Sequence, residues 1–157
     1  MKSILKISAL AVIVTVFAVA CNKEDDNMAG DAKVNVRMTD APGPYVAVNV
    51  DVQGVEINTS QGWVSANVNA GIYNLLDYQR GVDTLIASTT IPAGDVSQIR
   101  LVLGPNNTVV VGPATFDLET PSAQQSGLKL KVNTTVQAGA THTIILDFDA
   151  ARSIVET

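Results

Sequence analysis

The chain has 157 residues, 46% of them apolar; its formal net charge of −5 becomes −7 once residues 1–20 are set aside, because Lys2 and Lys6 leave and eight Lys and Arg then face fifteen Asp and Glu. That acidity excludes nucleic acid as a partner and charge-driven adhesion to an anionic membrane, while leaving room for divalent cations. One cysteine, Cys21, and one histidine, His142, exclude a disulfide framework, a thiolate metal cluster and any site built from several imidazoles.

Lys2 and Lys6 precede the apolar run Ile7 to Ala20, and Cys21 closes it. A charged start, an apolar segment of this length and small residues at its end describe a secretory signal; the run is short for a membrane span, which takes about 20 apolar residues. Cys21 directly after Ala18-Val19-Ala20 resembles the bacterial lipobox, in which the thiol is diacylated and the signal is then removed. Two or more acyl chains are what stable anchoring requires, so membrane attachment through Cys21 is expected. Lys23-Glu24-Asp25-Asp26 resembles the acidic export signal of surface lipoproteins in Bacteroidota, which implies an outer-membrane protein facing the cell exterior. The division expected is a lipoprotein signal over 1–20, a lipidated cysteine and acidic flexible tether over 21–33, and a folded domain over 34–157. The tether reading follows from the lack of apolar periodicity, which leaves nothing to offset the entropy of ordering.

From residue 34 the dominant period is two, carried mainly by Val and Ile, and this marks strands. Val34, Val36 and Met38 alternate with Asn35, Arg37 and Thr39; Val46, Val48, Val50 and Val52 alternate with Ala47, Asn49, Asp51 and Gln53. The phase breaks at Gly54 and resumes at Val55 and Ile57. A one-residue slip would turn every later side chain to the opposite face, so Gly54 is predicted to be a β-bulge. Trp63-Val64 opens a short strand, Ile72 to Leu76 is too brief for a helix, and Asp77 to Gly81 ends it in a turn or a single helical turn. Leu85 to Ile91 runs into the turn Pro92-Ala93-Gly94-Asp95, and Ile99, Leu101 and Leu103 form the next strand, broken by Gly104-Pro105-Asn106-Asn107. Val109 to Val111 and Thr115 to Leu118 flank Gly112-Pro113 as a hairpin. Pro121 to Gly127 reads as a polar loop. Leu128, Leu130 and Val132 alternate with Lys129, Lys131 and Asn133, Ala138-Gly139 turns, and Thr141 to Phe148 is a last strand. Short, regularly spaced strands with Gly and Pro turns predict an all-β, antiparallel β-sandwich, and half-polar strands predict one wet face per sheet.

Met38-Thr39-Asp40-Ala41-Pro42 resembles the L-T-D-A-P opening of a family of bacterial and archaeal secreted domains of unknown function. The resemblance continues in order through Gly62-Trp63-Val64, Asn74 to Asp77, Ile91 to Gly94, Gln98 to Leu101, Ser126 to Leu130, Leu146 to Ala150 and Ser153-Ile154-Val155. It implies a sandwich of prealbumin/immunoglobulin-like character, often lipid-anchored, with no established activity. It also implies one more strand after Ser153-Ile154-Val155, so the expectation is either a sandwich lacking its last edge strand or a fragment of a longer chain.

Asp40 is the sharpest single candidate for chemistry. Before Ala41-Pro42 its carboxylate is placed to accept backbone N–H groups two residues on, an Asx-turn; alternatively it is a hard-cation ligand. Asp147 and Asp149 flank Phe148 on one strand face and, with Asp40, would supply part of a calcium shell of six to eight oxygens if the first and last strands lie side by side. No other cofactor is implied. His142 lies in phase with Ile144, Leu146 and Phe148, as an end-of-strand or partly buried histidine would, and no G-x-S-x-G elbow, H-E-x-x-H pair, Walker loop or Rossmann glycine pattern occurs. An enzyme is therefore not expected. Trp63, Tyr45, Tyr73 and Tyr78 offer a thin case for a sugar-stacking platform, and Trp63 beside Gly62 reads rather as a core or edge anchor. Asp83-Thr84-Leu85 resembles a short O-glycosylation motif with Thr84 as acceptor. The function expected is a lipid-anchored surface domain with a non-catalytic binding or structural role. Its partner would be a cell-surface glycan or protein; the alternatives are a fimbria-like subunit accepting a donated strand and a calcium- or glycan-binding module.

Overall fold

The computed structural model describes residues 30–155; Cys21, the apolar run before it and the acidic run after it lie outside the described residues. The strands are β1 (Asp31–Asp40), β2 (Ala47–Thr59), β3 (Gly62–Ser65), β4 (Asn67–Val68), β5 (Gly71–Asn74), β6 (Thr84–Pro92), β7 (Gly94–Leu103), β8 (Thr108–Val111), β9 (Ala114–Asp117), β10 (Leu128–Val136) and β11 (Thr141–Phe148). A single 3-10 turn covers Leu75–Tyr78, and two short helices are α1 (Pro121–Gln125) and α2 (Ala150–Ser153). β1 begins at Asp31, with Ala32 already buried, so residues 31–33 belong to the domain and not to a tether.

One sheet runs β11-β1-β6-β4; the other runs β10-β7-β2-β8-β9, with β3 and β5 also on β2. The sheets pack face to face, as the all-β expectation requires. Val34, Val36 and Met38 of β1 meet Val52, Val55 and Ile57 of β2 and Ile99 and Leu101 of β7 in one core, all at 1% exposure or less. Each such side chain contributes about 1.5–3 kcal/mol on burial. With no disulfide available, this core carries the stability.

The predicted bulge is present: the β2–β7 register shifts between Val52 and Gly54, and Val55 and Ile57 stay on the core face. A Cβ on Gly54 would sit 3.3 Å from Val102 Cβ, so close approach to β7 accounts for the glycine here. The Gly112-Pro113 hairpin forms between β8 and β9.

Two further expectations change. The segment from Pro121 is a turn of helix, α1, with Pro at its first positions and Ala123 buried, where polarity alone suggested a loop. The outer pairing of the first sheet is parallel, β1 with β11, Val36 opposite Ile144 and Thr39 opposite Asp147. The turn after β10 hands the chain to the other sheet, where Gly139 donates to Asp31 O and Lys33 to Ala140 O. The strand therefore arrives beside β1 and not beside its predecessor. Antiparallel order is obligatory only for strands joined by a hairpin.

Candidate functional site

β1 and β11 lie side by side, which brings the three candidate carboxylates to one end of the first sheet without making them converge. Asp40 ends β1 and is buried; its Oδ1 accepts from the backbone N–H of Ala150 at 3.1 Å, and Oδ2 lies 3.5 Å from Gln79 Nε2. Its partner is thus the start of α2, far along the chain, in place of the local Asx-turn. Asp149 caps that same helix, accepting from Arg152 N at 3.2 Å and pairing with Arg152 Nε at 3.4 Å. Asp147 is opposite Thr39 and exposed, on the other face of the sheet from Asp40. Among the described residues no group of three or more His, Cys, Asp and Glu is arranged to hold a metal ion.

His142 Nε2 accepts from Gln137 N at 2.8 Å and so braces the turn between β10 and β11. Thr84 is half-buried at the start of β6, opposite the buried Met38, and Arg37 engages the neighbouring Asp83. The aromatic residues divide between two faces. Tyr73 is opposite the buried Val50 and packs on Tyr78, with ring centroids 6.3 Å apart. Burial, and secondarily Tyr78, raises the Tyr73 pKa. Trp63 stands opposite Asn58 on the outer face of the second sheet, 40% exposed. Arg100 lies over its ring at 4.1 Å and pairs with Glu56 at 2.7 Å. One face of the indole is thus occupied, and Trp63 is a surface clamp and not a core residue.

Two features were not visible in the sequence. The first is a buried polar knot around Asp51. Alternation puts Asp51 on the wet face, yet it is 2% exposed and the neighbouring Asn107 1%. β2 pairs with β7 up to Val52 and with β8 up to Asn49, and the loop joining those two strands fills the gap. Asn107 Oδ1 accepts from Asp51 N at 2.9 Å, and Gly104 N donates to Asp51 O at 2.7 Å, which restores the ladder bonds the gap would leave open. The Asp51 carboxylate accepts from Gln53 Nε2 and from the backbone and side chain of Asn106. The Gln53 bond leads in holding its pKa below the usual carboxylate value; burial opposes it, and Asn106 adds to it. Every contact is internal, so the knot is structural.

The second is an open seam where β10 and β11, the outer strands of the two sheets, fail to close over one another. It is a groove of about 530 Å³ with Leu128, Leu130 and Val132 on one wall and Ile144, Leu146 and Phe148 on the other. Beside it, β11 is an edge among the described residues: β1 pairs with one side of it and no described strand with the other. Lys33 N donates to Ala140 O and Ala41 N to Phe148 O, and in a parallel ladder the bonded residues recur every second position. The even-numbered residues of β11 therefore bond to β1, and the N–H and C=O groups of Thr143, Ile145 and Asp147 point away from the sheet.

Exposed edges invite pairing, and proteins blunt them with shortness, lysines or bulges. β3, β4, β5 and β9 are each four residues or fewer. β10 carries Lys129 and Lys131, and its register shifts before Thr134. β11 runs eight residues without Lys, Arg or Pro and with unshifted register, and Ile145 on it is 53% exposed. Among the described residues it is the one long edge with neither lysine, proline nor bulge, and Asp147 is its single carboxylate.

A family model described as a domain of unknown function (DUF4382) matches residues 31–157. The match begins where β1 begins. No curated protein matches the chain, and no solved structure does.

Proposed function

This chain belongs to the DUF4382 family, a domain of unknown function, and we propose that it is a lipid-anchored, cell-surface β-sandwich that acts without catalysis, by docking an extended polypeptide strand along β11. The observation that carries the reading is the free edge of β11 beside the apolar seam. Strand addition uses backbone hydrogen bonds for affinity and alternate side-chain pockets for selectivity. A strand laid on β11 would bond to Thr143, Ile145 and Asp147 and drop every second side chain toward Leu128 and Leu130. The lipobox-like Cys21 and the acidic residues after it support the anchored, outward-facing address.

The test is a photo-crosslinking side chain at position 145 on intact cells, with the same group at Thr90, exposed on the inner strand β6, as comparison. Capture of a polypeptide at 145 and not at 90 is expected. Equal or absent capture at 145 overturns the docking edge.

A further inference from the structure

We infer that the strand docked on β11 is the β11 of a second copy of this chain, paired antiparallel about a twofold axis through Ile145. The inference rests on the reading of β11 as a docking edge and names its occupant. A twofold interface must be self-complementary, and both faces of β11 meet that demand in one register. With Ile145 opposite its own copy, Thr143 faces the partner's Asp147, so that a hydroxyl meets a carboxylate and the two like charges stand apart. The three residues of that set are those whose backbone groups point outward, so 145 with 145 and 143 with 147 become hydrogen-bonded pairs. The exposed Ile145 is then covered by an identical side chain.

On the inner face the same register sets Ile144 against the partner's Leu146, and His142 against the partner's Phe148. Those apolar residues extend the seam wall opposite Leu128 and Leu130, so one pairing serves both the bare edge and the open groove. Shifting by two residues in sum moves Ile145 against Thr143 or Asp147 and loses the apolar match on the outer face, where the registers differ; shifting by one sets bonded groups against unbonded ones. The first sheet would then run unbroken through both copies.

Cysteine pairing reads the register directly. Residues facing each other in a hydrogen-bonded antiparallel pair have Cα atoms about 5.5 Å apart, inside disulfide range. In membranes carrying the full chain, mild oxidation of Ile145→Cys should give a disulfide-linked dimer. Thr143→Cys or Asp147→Cys alone should not, since each would lie roughly 13 Å from its own copy, but the two together should. The unsubstituted chain, with Cys21 its single cysteine, sets the background. Positions 143, 145 and 147 are all exposed, and an unchanged melting temperature verifies that each variant folds. No dimer from Ile145→Cys above background, or equal dimer from Thr143→Cys alone, overturns the inference. If that happens while the photo-crosslinker at 145 still captures a different polypeptide, the docking edge stands and only its occupant is wrong. Failure of both removes edge and occupant together.

Discussion

Gly104 packs directly against the carboxylate of Asp51: a Cβ built on the glycine would lie 2.2 Å from Asp51 Oδ2 and 2.6 Å from its Cγ. The two are joined at the backbone as well, Gly104 N donating to Asp51 O. A buried acid thus sits where the ladder between β2 and its neighbours changes partner, and the loop that changes it has room there for no side chain.

Gly104→Ala should accordingly destabilise the domain by about 1–3 kcal/mol, the usual cost of forcing an extra carbon into a packed interior. Urea unfolding measures it. A loss below about 0.5 kcal/mol, the range of a neutral surface change, would show that Asp51 can move aside.

The lowered pKa of Asp51 makes acid stability a readout of the same knot. Its folded pKa lies below the ordinary carboxylate value, held there first by the Gln53 bond, so its contribution is fully present above the unfolded value and is lost as pH falls through the folded one. Asp51→Asn should lower stability at pH 7 and flatten the decline below about pH 4. If the variant's decline below that pH runs parallel to that of the unsubstituted chain, the Gln53 and Asn106 bonds do not act on the charge.

Asp40→Ala removes the acceptor for Ala150 N and leaves a buried N–H without its partner, at a cost of about 1–3 kcal/mol. Asp40→Asn keeps an acceptor and should recover part of it. Both losses should be the same in calcium and in chelator. A calcium-dependent melting temperature in the unsubstituted chain, erased by Asp40→Ala, Asp147→Asn and Asp149→Asn alike, would instead establish a cation site.

Cys21→Ser should abolish lipid labelling and leave uncleaved or released chain. Normal acylation of that variant would sink the proposed anchor. Replacing Glu24, Asp25 and Asp26 by Ala should keep the anchor and lower protease access on intact cells; unchanged access would leave those residues no role in export.

Trp63→Ala should cost about 0.5–1 kcal/mol through loss of the cation–π contact with Arg100, as at exposed sites generally, and should not change any property of the β11 edge on the opposite side of the sandwich core. A drop in crosslinking at 145 in this variant would tie the two surfaces together.

What the sequence determined by itself is what period two and the turn residues encode: most of the strands, the face each turns inward, the bulge where the phase breaks at Gly54, and the turns at Gly112-Pro113 and Gly139. The ordered blocks from Met38 to Val155 likewise pointed to the family, since each is a local string of residues. Alternation says which side of a strand is apolar and nothing about which strand lies beside it. Tertiary structure therefore decided that β11 runs parallel to β1, that Asp40 meets Ala150 in place of its own turn, and that the loop after Gly104 closes over Asp51 and buries an acid on a face the pattern marks as wet. The free edge of β11 and the seam beside β10 belong to the same class. Which strands pair, and so which strand of the described residues stands at an edge, is settled only when the two sheets pack, because pairing joins residues far apart in sequence.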